Sequence, residues 1–565
     1  MKGLRRNDGA MKICRLYQKG NSTSCLQENF LIIDCKGIQR ESSYEPMLVT
    51  IDFAGFQYSF CSLLAAKILP MRQRFEQQMN LRTVAICDVR FPLKSRDELP
   101  PVLKALQYIF VTSELNEKVF SLLEKKIIAT KKKTGRRGMD LWHILVLAVV
   151  RHTLSTNWDR LEHLANYDQL VREIMGVHAT AFIEHDKLEF GYQTILDNVQ
   201  LIDEELLQQI NSLIVEAGHS LLKKKEEEEL RLKTDSYVLE TNVHFPTDLN
   251  LLWDSSRKCL DMITVLKKET QLEGWRKIKH IRKTIKSIFR ATSHQVFKGK
   301  KEELKKQSVK IYLQYIEALV HRCQAILDSN IIAESPAAIL ALAGLQHYKN
   351  FAVKHIDLVR RRLLEGEVIP AADKIYSIFE PHTEWVTKGK LNKRVELGHL
   401  LLITTDQHHF IVDYKVMESE KDPSQIAPLI ERLQQKFKGK KIYSHSFDKG
   451  FYSKDNLHAL QQSGIHEVVM PKKGKLNKEE KQRESSREFK KLRYAHSAVE
   501  SNINMLEHHG LNRCVDKGLY GFKRYTGLSV LAYNLHLPGN CLIEQEKQKE
   551  NKRLKKQQAQ YKKAA

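Results

Sequence analysis

Hydrophobic positions change period several times along the chain. Leu103, Leu106, Ile109 and Phe110 recur at helical spacing and predict helix across much of 100–128. The same period predicts helices near 140–152, 158–165 and 168–174, with Trp158, Leu161, Leu164 and Leu170 as core positions. Helix is also expected over 192–230, ending in "LLKKKEEEEL", whose opposite charges stand at i,i+4 spacing. At 235 the period shortens to two in "DSYVLETNVHF", the signature of a half-buried strand. From 249 to about 363 the helical period returns, and alternation resumes at 395–404 and 410–417, separated by the turn "TDQHH". A helix over 425–436, a strand over 441–447, a helix over 453–462 and a short strand over 467–470 follow. The polar segment "PKKGKLNKEEKQRES" has no period and is expected to be mobile. A helix is predicted over 491–508, and the charged last residues read as frayed helix or disorder. Residues 1–70 show no sustained period and stay unassigned, as a leader or an extension.

The strands therefore belong to a mixed α/β domain split by a helical block that lies between its first strand and its hairpin. At 565 residues the chain is long enough for two or three domains. Lys and Arg number 92 against 68 Asp and Glu, a net charge of +24, which favours a polyanionic partner. Nine cysteines are scattered without the close spacing of a zinc site and read as reduced thiols. The strongest apolar run, "LWHILVLAVV", is too short to span a bilayer, and no signal peptide is recognisable. A cytoplasmic protein is expected.

Two aspartates stand at strand ends in this reading. Asp235 opens the first strand, Asp448 closes the strand at 441–447, and Glu500 lies within a helix. A mixed sheet sets the ends of its central strands side by side, and carboxylate oxygens are the ligands that hard divalent ions prefer. Each residue alone also has a plainer reading, because Asp caps helices and shapes turns.

Four ordered stretches resemble the DDE transposases of insertion sequences, whose catalytic core has an RNase H-like fold. They are "TDSYVLETNVHFPTDLNLLWD" (234–254), "IFEPHTEWVTKGKLNKRVELGH" (378–399), "SFDKGFYS" (446–453) and "AHSAVESNINMLEHHGLNRCVDKGLYGFKRYTGLSVLAYNLH" (495–536). The resemblance implies an α/β fold with an RNase H-like mixed sheet and flanking helices. A helical insertion interrupts it, and a mainly helical N-terminal DNA-binding region precedes it. The expected boundaries are 71–230 for terminal-repeat binding, 231–248 for the first strand, 249–390 for the basic insertion, 391–540 for the rest of the core and 541–565 for a charged tail. It implies Asp235, Asp448 and Glu500 as catalytic residues holding two Mg²⁺ ions, with Mn²⁺ as a substitute. It also implies cleavage at terminal inverted repeats and transfer of the 3′-hydroxyl end to target DNA. A DNA-dependent homo-oligomer in a bacterial or archaeal host, associated with the nucleoid, completes the expectation. A nuclease that cuts without joining and an inactive DNA-binding descendant are the competing readings.

Many such transposases place Arg four residues before the Glu and Lys seven after it; here His496 and Glu507 occupy those positions. Arg493 and Arg513 stand nearby as alternative contacts to the DNA ends. Further DNA-binding candidates are Lys131, Lys132, Lys133, Arg136, Arg137, Arg276, Lys277 and Lys449. In "WRKIKHIRKTIKSIFR", Ile278, Ile281, Ile285 and Ile288 share one helical face, leaving the other free to follow a phosphate backbone, while Trp275 is expected in the core. Asp248 is expected to cap the helix starting near Leu249, and Asp406 to shape the hairpin turn. His408 and His409 should point apart rather than form one metal site. His399 is left outside the catalytic set.

Overall fold

The computed structural model describes residues 14–15, 30–31, 48–53, 56–61, 72–77, 83–128, 138–177, 188–222, 229–270, 272–329, 331–387 and 394–564. The chain divides into two compact units, Met1–Leu69 and Pro70–Ala565. In the first, β1 (Cys14–Arg15) pairs with β2 (Phe30–Leu31) and β3 (Leu48–Phe53) with β4 (Phe56–Cys61), both antiparallel.

The second unit begins with helices. These are α1 (Leu99–Val111), α2 (Ser113–Leu123), α3 (Leu141–Thr153), α4 (Trp158–Tyr167), α5 (Gln169–Ile174), α6 (Tyr192–Val199) and α7 (Glu204–Leu222). Helix α3 is apolar on every side and buried at every residue, with the Trp142 indole N–H donating to the Ile174 carbonyl at 2.8 Å. Leu161 and Leu164 are buried as expected, while Trp158 packs at the core's margin under the Arg151 guanidinium. Most of "LLKKKEEEEL" lies outside the described residues.

Strand β5 (Leu230–Thr241) starts five residues before Asp235 and stops at Thr241, so Asp235 lies inside the strand and not at its start. Alternation legible only from 235 actually begins at Leu230 and Leu232, both buried. The insertion follows as α8 (Asp248–Glu269), α9 (Ile278–Lys298), α10 (Glu302–Asp328) and α11 (Pro336–Val359), which enclose their own core around Leu252, Leu260, Tyr312 and Leu345. Thr247 caps α8 through a reciprocal pair with Asn250, and Asp248 instead pairs with Arg362 at 2.7 Å. Trp275 is buried there with the Arg322 guanidinium 3.9 Å above its ring.

Next come β6 (Glu384–Val386), β7 (Glu396–Thr405), β8 (Ile411–Val416), α12 (Ile426–Lys436), β9 (Ile442–Phe447), α13 (Lys454–Gln462) and β10 (Glu467–Val469). The remainder is α14 (Lys478–Ser485), α15 (Arg487–His496), α16 (Ala498–Leu506), β11 (Arg513–Cys514) and α17 (Gly518–Ala564). Two expectations need correction. The segment thought mobile holds α14, because Asn477 and Glu480 form a reciprocal cap that a search for hydrophobic period cannot detect. The single helix over 491–508 is two helices that break at Ser497. The C-terminal residues, read as frayed helix or disorder, are helical and continue α17.

Seven strands form one mixed sheet in the order β10-β9-β5-β7-β6, with β8 also on β7 and β11 also on β5. β5 is antiparallel to β7 and parallel to both β9 and β11. Leu230, Leu232 and Phe447 face α12 and α13 across one core. Leu239, Leu401 and Ile403 face α16 and α17 across another. Helix α17 also carries Leu528, Leu531 and Leu535 into the N-terminal helical core, so it joins that region to the sheet.

Candidate active site

The edge of β5 is shared by two short parallel neighbours. β9 covers it up to the pair Thr234↔Phe447, and β11 resumes at Glu240↔Arg513. Among the described residues no strand pairs with Asp235–Leu239 on that side, which leaves an opening in the sheet. Asp235 is the first residue in the opening. Asp448 is the first residue after β9 and keeps an extended backbone, so continuing the register one step past Thr234↔Phe447 brings it opposite Asp235. Neighbouring strands lie about 4.8 Å apart, which sets the scale for this pair of backbones.

Local packing explains how Asp448 is presented. Phe447 and Phe451 are both buried, their ring centroids 5.7 Å apart, and they clamp the chain on either side of it. Asp448 itself is exposed and makes no side-chain cap bond to the turn that follows. Its carboxylate is therefore not there to cap a helix. Gly450 passes close to Asp422: a methyl group at this position would sit 3.1 Å from the Asp422 Oδ2. The other oxygen of Asp422 accepts from the Ser236 hydroxyl at 2.7 Å, which ties to β5 the residue that lies against Gly450. No short-range pattern marked Asp422, because its partners are 186 and 28 residues away.

Alternation along β5 puts Lys233, Asp235 and Tyr237 on the face that α16 covers, the face of Leu239. Glu500 lies exposed on α16, between buried Val499 and buried Asn502. The Tyr533 hydroxyl donates to Asn502 Oδ1 at 3.1 Å and anchors the helix on α17. After α16 the chain reverses at Gly510, whose φ of 95° favours glycine, and enters β11. The Tyr525 hydroxyl donates to the Gly510 carbonyl at 3.2 Å and fixes that reversal. The helix bearing Glu500 is thus held between the two ends of the opening.

His496 ends α15, one helical turn before Glu500. Its Nδ1 lies 2.9 Å from the Ser446 hydroxyl, while Nε2 is buried with no hydrogen-bond partner. Burial pushes its imidazole down to about 4, opposed by the Asp448 carboxylate and reinforced by Lys233. Burial also lowers the Lys233 ammonium, against the pull of Asp406. On the opposite face, Thr234 Oγ1 bonds both Thr404 Oγ1 at 2.7 Å and His445 Nε2 at 2.8 Å. His445 is held down to about 3 by burial and then by His496, so its ring stays neutral near pH 7. Tyr237 is also held above its ordinary range by burial, with the Glu507 charge adding to the effect.

The other expected residues are dispersed. Lys449 is exposed beside Asp448, and Arg493 is exposed on α15 without an ion pair among the described residues. Arg513 is tied to Glu240 at 3.2 Å, so its charge is already partnered. Arg276 and Lys277 are exposed and immediately precede α9 in the insertion. Lys131, Lys132, Lys133, Arg136 and Arg137 lie outside the described residues. Asp406 shapes the hairpin turn, accepting from the His408 and Phe410 amides, and it also bonds buried His219. His409 sits in the turn, not in a strand as assumed, with Nδ1 3.2 Å from Asn502 Oδ1. His399 is buried against His382, 2.9 Å away, and Glu384, 3.1 Å away.

The donor chemistry at the opening suits a hard divalent cation: two carboxylates one register step past the last β5–β9 pair and a third on the covering helix. Among the described residues, no three His, Cys, Asp or Glu side chains converge closely enough to form a finished metal cage. The fit is therefore one of donor type and strand register.

Residues 372–535 match the family model described as a transposase DDE domain. The matched stretch contains Asp448 and Glu500, whereas Asp235 lies upstream, beyond the insertion. No curated protein and no solved structure matches.

Proposed function

We propose that this DDE transposase cleaves DNA at the terminal inverted repeats of its element and joins the exposed 3′-hydroxyl to target DNA, with Asp235, Asp448 and Glu500 as its acidic triad. The observation that carries this reading is the parallel register of β5 and β9, which ends at Thr234↔Phe447 and leaves Asp235 and Asp448 as the next residue on each strand, at the opening. The sheet is read as RNase H-like, with β5 central, antiparallel to β7 and parallel to β9. Members of this family use divalent metal ions. Asp235, Asp448 and Glu500 would hold two Mg²⁺ ions, replaceable by Mn²⁺, which would supply charge stabilisation at the phosphate and a more acidic attacking hydroxyl.

The chain's own part is positioning. The Phe447 and Phe451 clamp holds Asp448 at the surface, and Asp422 braces its loop against Ser236. Lys449 and Arg493 offer exposed charge to the DNA backbone on either side of the carboxylates. His496 occupies the place where many relatives carry Arg, and its bond to Ser446 fixes the ring beside Asp448. Residues 71–230, including Lys131, Lys132, Lys133, Arg136 and Arg137, are assigned to recognition of the terminal repeats. Pairing of two DNA ends in a homo-oligomer follows from the same reading. No described helix is long and apolar enough to cross a membrane.

The test is a joining assay with purified chain, labelled terminal-repeat DNA and a plasmid target, run with Mg²⁺ and with EDTA. Metal-dependent joined product supports the transposase reading. Cleavage without joining points to a nuclease. Tight repeat binding with neither product, in Mn²⁺ as well, identifies an inactive DNA-binding descendant.

A further inference from the structure

Helix α9 contains six Lys or Arg residues and no Asp or Glu over Ile278–Lys298. Its two faces are separate. Ile278 and Ile285 are buried in the insertion's core, and Ile281, Ile288 and Phe289 pack against it. Phe289 also stacks on Trp253, with ring planes 12° apart. Lys279, Lys283, Lys286 and Arg290 fall at steps of four, three and four on the opposite side, and all four are exposed.

Among the described residues no acidic side chain pairs with these four cations, whereas several other cations of the insertion are partnered. Arg282, at the edge of the packed face, pairs with Asp261 at 2.6 Å. Elsewhere in the insertion, Arg361 pairs with Glu367 at 2.6 Å and Arg362 with Asp248 at 2.7 Å. Lys279, Lys283, Lys286 and Arg290 make no ion pair among the described residues, although like charges three and four residues apart weaken a helix. A polyanion laid along the ridge removes that repulsion. A bilayer is a poor occupant, because a membrane-surface helix must insert its apolar face and here that face is already buried.

We infer that the exposed ridge Lys279–Lys283–Lys286–Arg290 of α9 is a second DNA-contacting surface, which follows the phosphate backbone of duplex DNA without reading its sequence. The choice of DNA over other polyanions rests on the transposase reading above. The ridge rises about 16 Å along the helix axis at 1.5 Å per residue, long enough to meet several consecutive phosphates. Each phosphate neutralised releases counterions, so binding through the ridge weakens with salt at close to one power per contact.

The experiment is fluorescence anisotropy of the full chain with a labelled duplex that lacks the terminal repeats, across a salt series. It compares wild type with the combined variant Lys279→Gln, Lys283→Gln, Lys286→Gln, Arg290→Gln. A control of equal charge change carries Lys549→Gln, Lys552→Gln, Lys555→Gln, Lys556→Gln in α17. The ridge variant is expected to bind at least about tenfold more weakly, with a log–log salt slope shallower by about three to four and the control near wild type. Affinity and slope unchanged, or an equal loss in the control, overturns the ridge. Loss of binding to anionic phospholipid vesicles with duplex affinity intact assigns it to a membrane instead and also overturns it. Metal-dependent cleavage of repeat DNA by wild type, measured in parallel, tells failure of the ridge from failure of the transposase reading.

Discussion

Asp448 comes opposite Asp235 one register step past the last parallel pair, Thr234↔Phe447, although 213 positions separate them in the chain. Asp448 is exposed and caps nothing, so little of the fold depends on its charge. Asp448→Asn is therefore expected to abolish cleavage and joining by at least about a hundredfold. Its unfolding free energy should stay within about 0.5 kcal/mol of wild type. Gel assays and denaturant melts read the two effects separately, and a variant that unfolds would assign Asp448 a structural role.

The brace between the Asp448 loop and Asp422 makes a second prediction. Gly450→Ala adds a methyl 3.1 Å from Asp422 Oδ2, which must displace the loop or the carboxylate. A displacement near 1 Å can cost about a hundredfold in rate when reacting groups depend on it. A contact of 3.1 Å calls for a shift of only a few tenths of an ångström, so joining is expected to fall by about two- to tenfold, and Asp422→Ala in the same chain to reduce that penalty. Penalties that simply add would show that the two positions are not coupled.

Acid stability follows from His445. Its folded-state imidazole is held at about 3 by burial, against an ordinary value of 6.5. Below pH 6.5 the unfolded chain takes up a proton that the folded chain refuses until about pH 3. The stability from this group is complete above pH 6.5 and is lost as pH falls through that window, by up to about 1.4 kcal/mol per unit. Denaturant titrations at several pH values should show His445→Gln with a shallower dependence than wild type. An unchanged slope would contradict the buried neutral ring.

Helix α14 can be tested by its cap. Asn477 Oδ1 accepts from the Glu480 amide at 2.7 Å, and Glu480 Oε2 accepts from the Asn477 amide at 2.8 Å. Asn477→Ala should cost about 1 kcal/mol of local helix stability, which is about fivefold faster amide exchange within residues 478–485. Absence of protection in wild type would return this segment to the mobile reading.

Much of the sheet was legible from apolar and polar residues alternating in the sequence, as at 441–447, although β9 and the hairpin strands are buried on both faces. The start of β5 was missed since Arg231 and Lys233 interrupt the apolar residues with charge, though Leu230 and Leu232 remain buried. Helix α14 was missed because its cap is polar and the helix buries no residue. In the site, the motif resemblance singled out Asp235, Asp448 and Glu500, while only the register sets the first two opposite each other. Asp422 and His445 act through partners distant in sequence, a relation that one chain's spacing does not encode. Arg513 looked available from its position, yet Glu240 on the neighbouring strand partners it.

The most direct test of the central claim is cleavage of the protein backbone by radicals generated at bound iron. Fe²⁺ would replace Mg²⁺ in the presence of terminal-repeat DNA, ascorbate and peroxide. The account predicts cuts close to Asp235, Asp448 and Glu500 together, suppressed by excess Mg²⁺ and lost in Asp448→Asn. Cuts confined to one of the three segments, or insensitive to Mg²⁺, would contradict a shared carboxylate site.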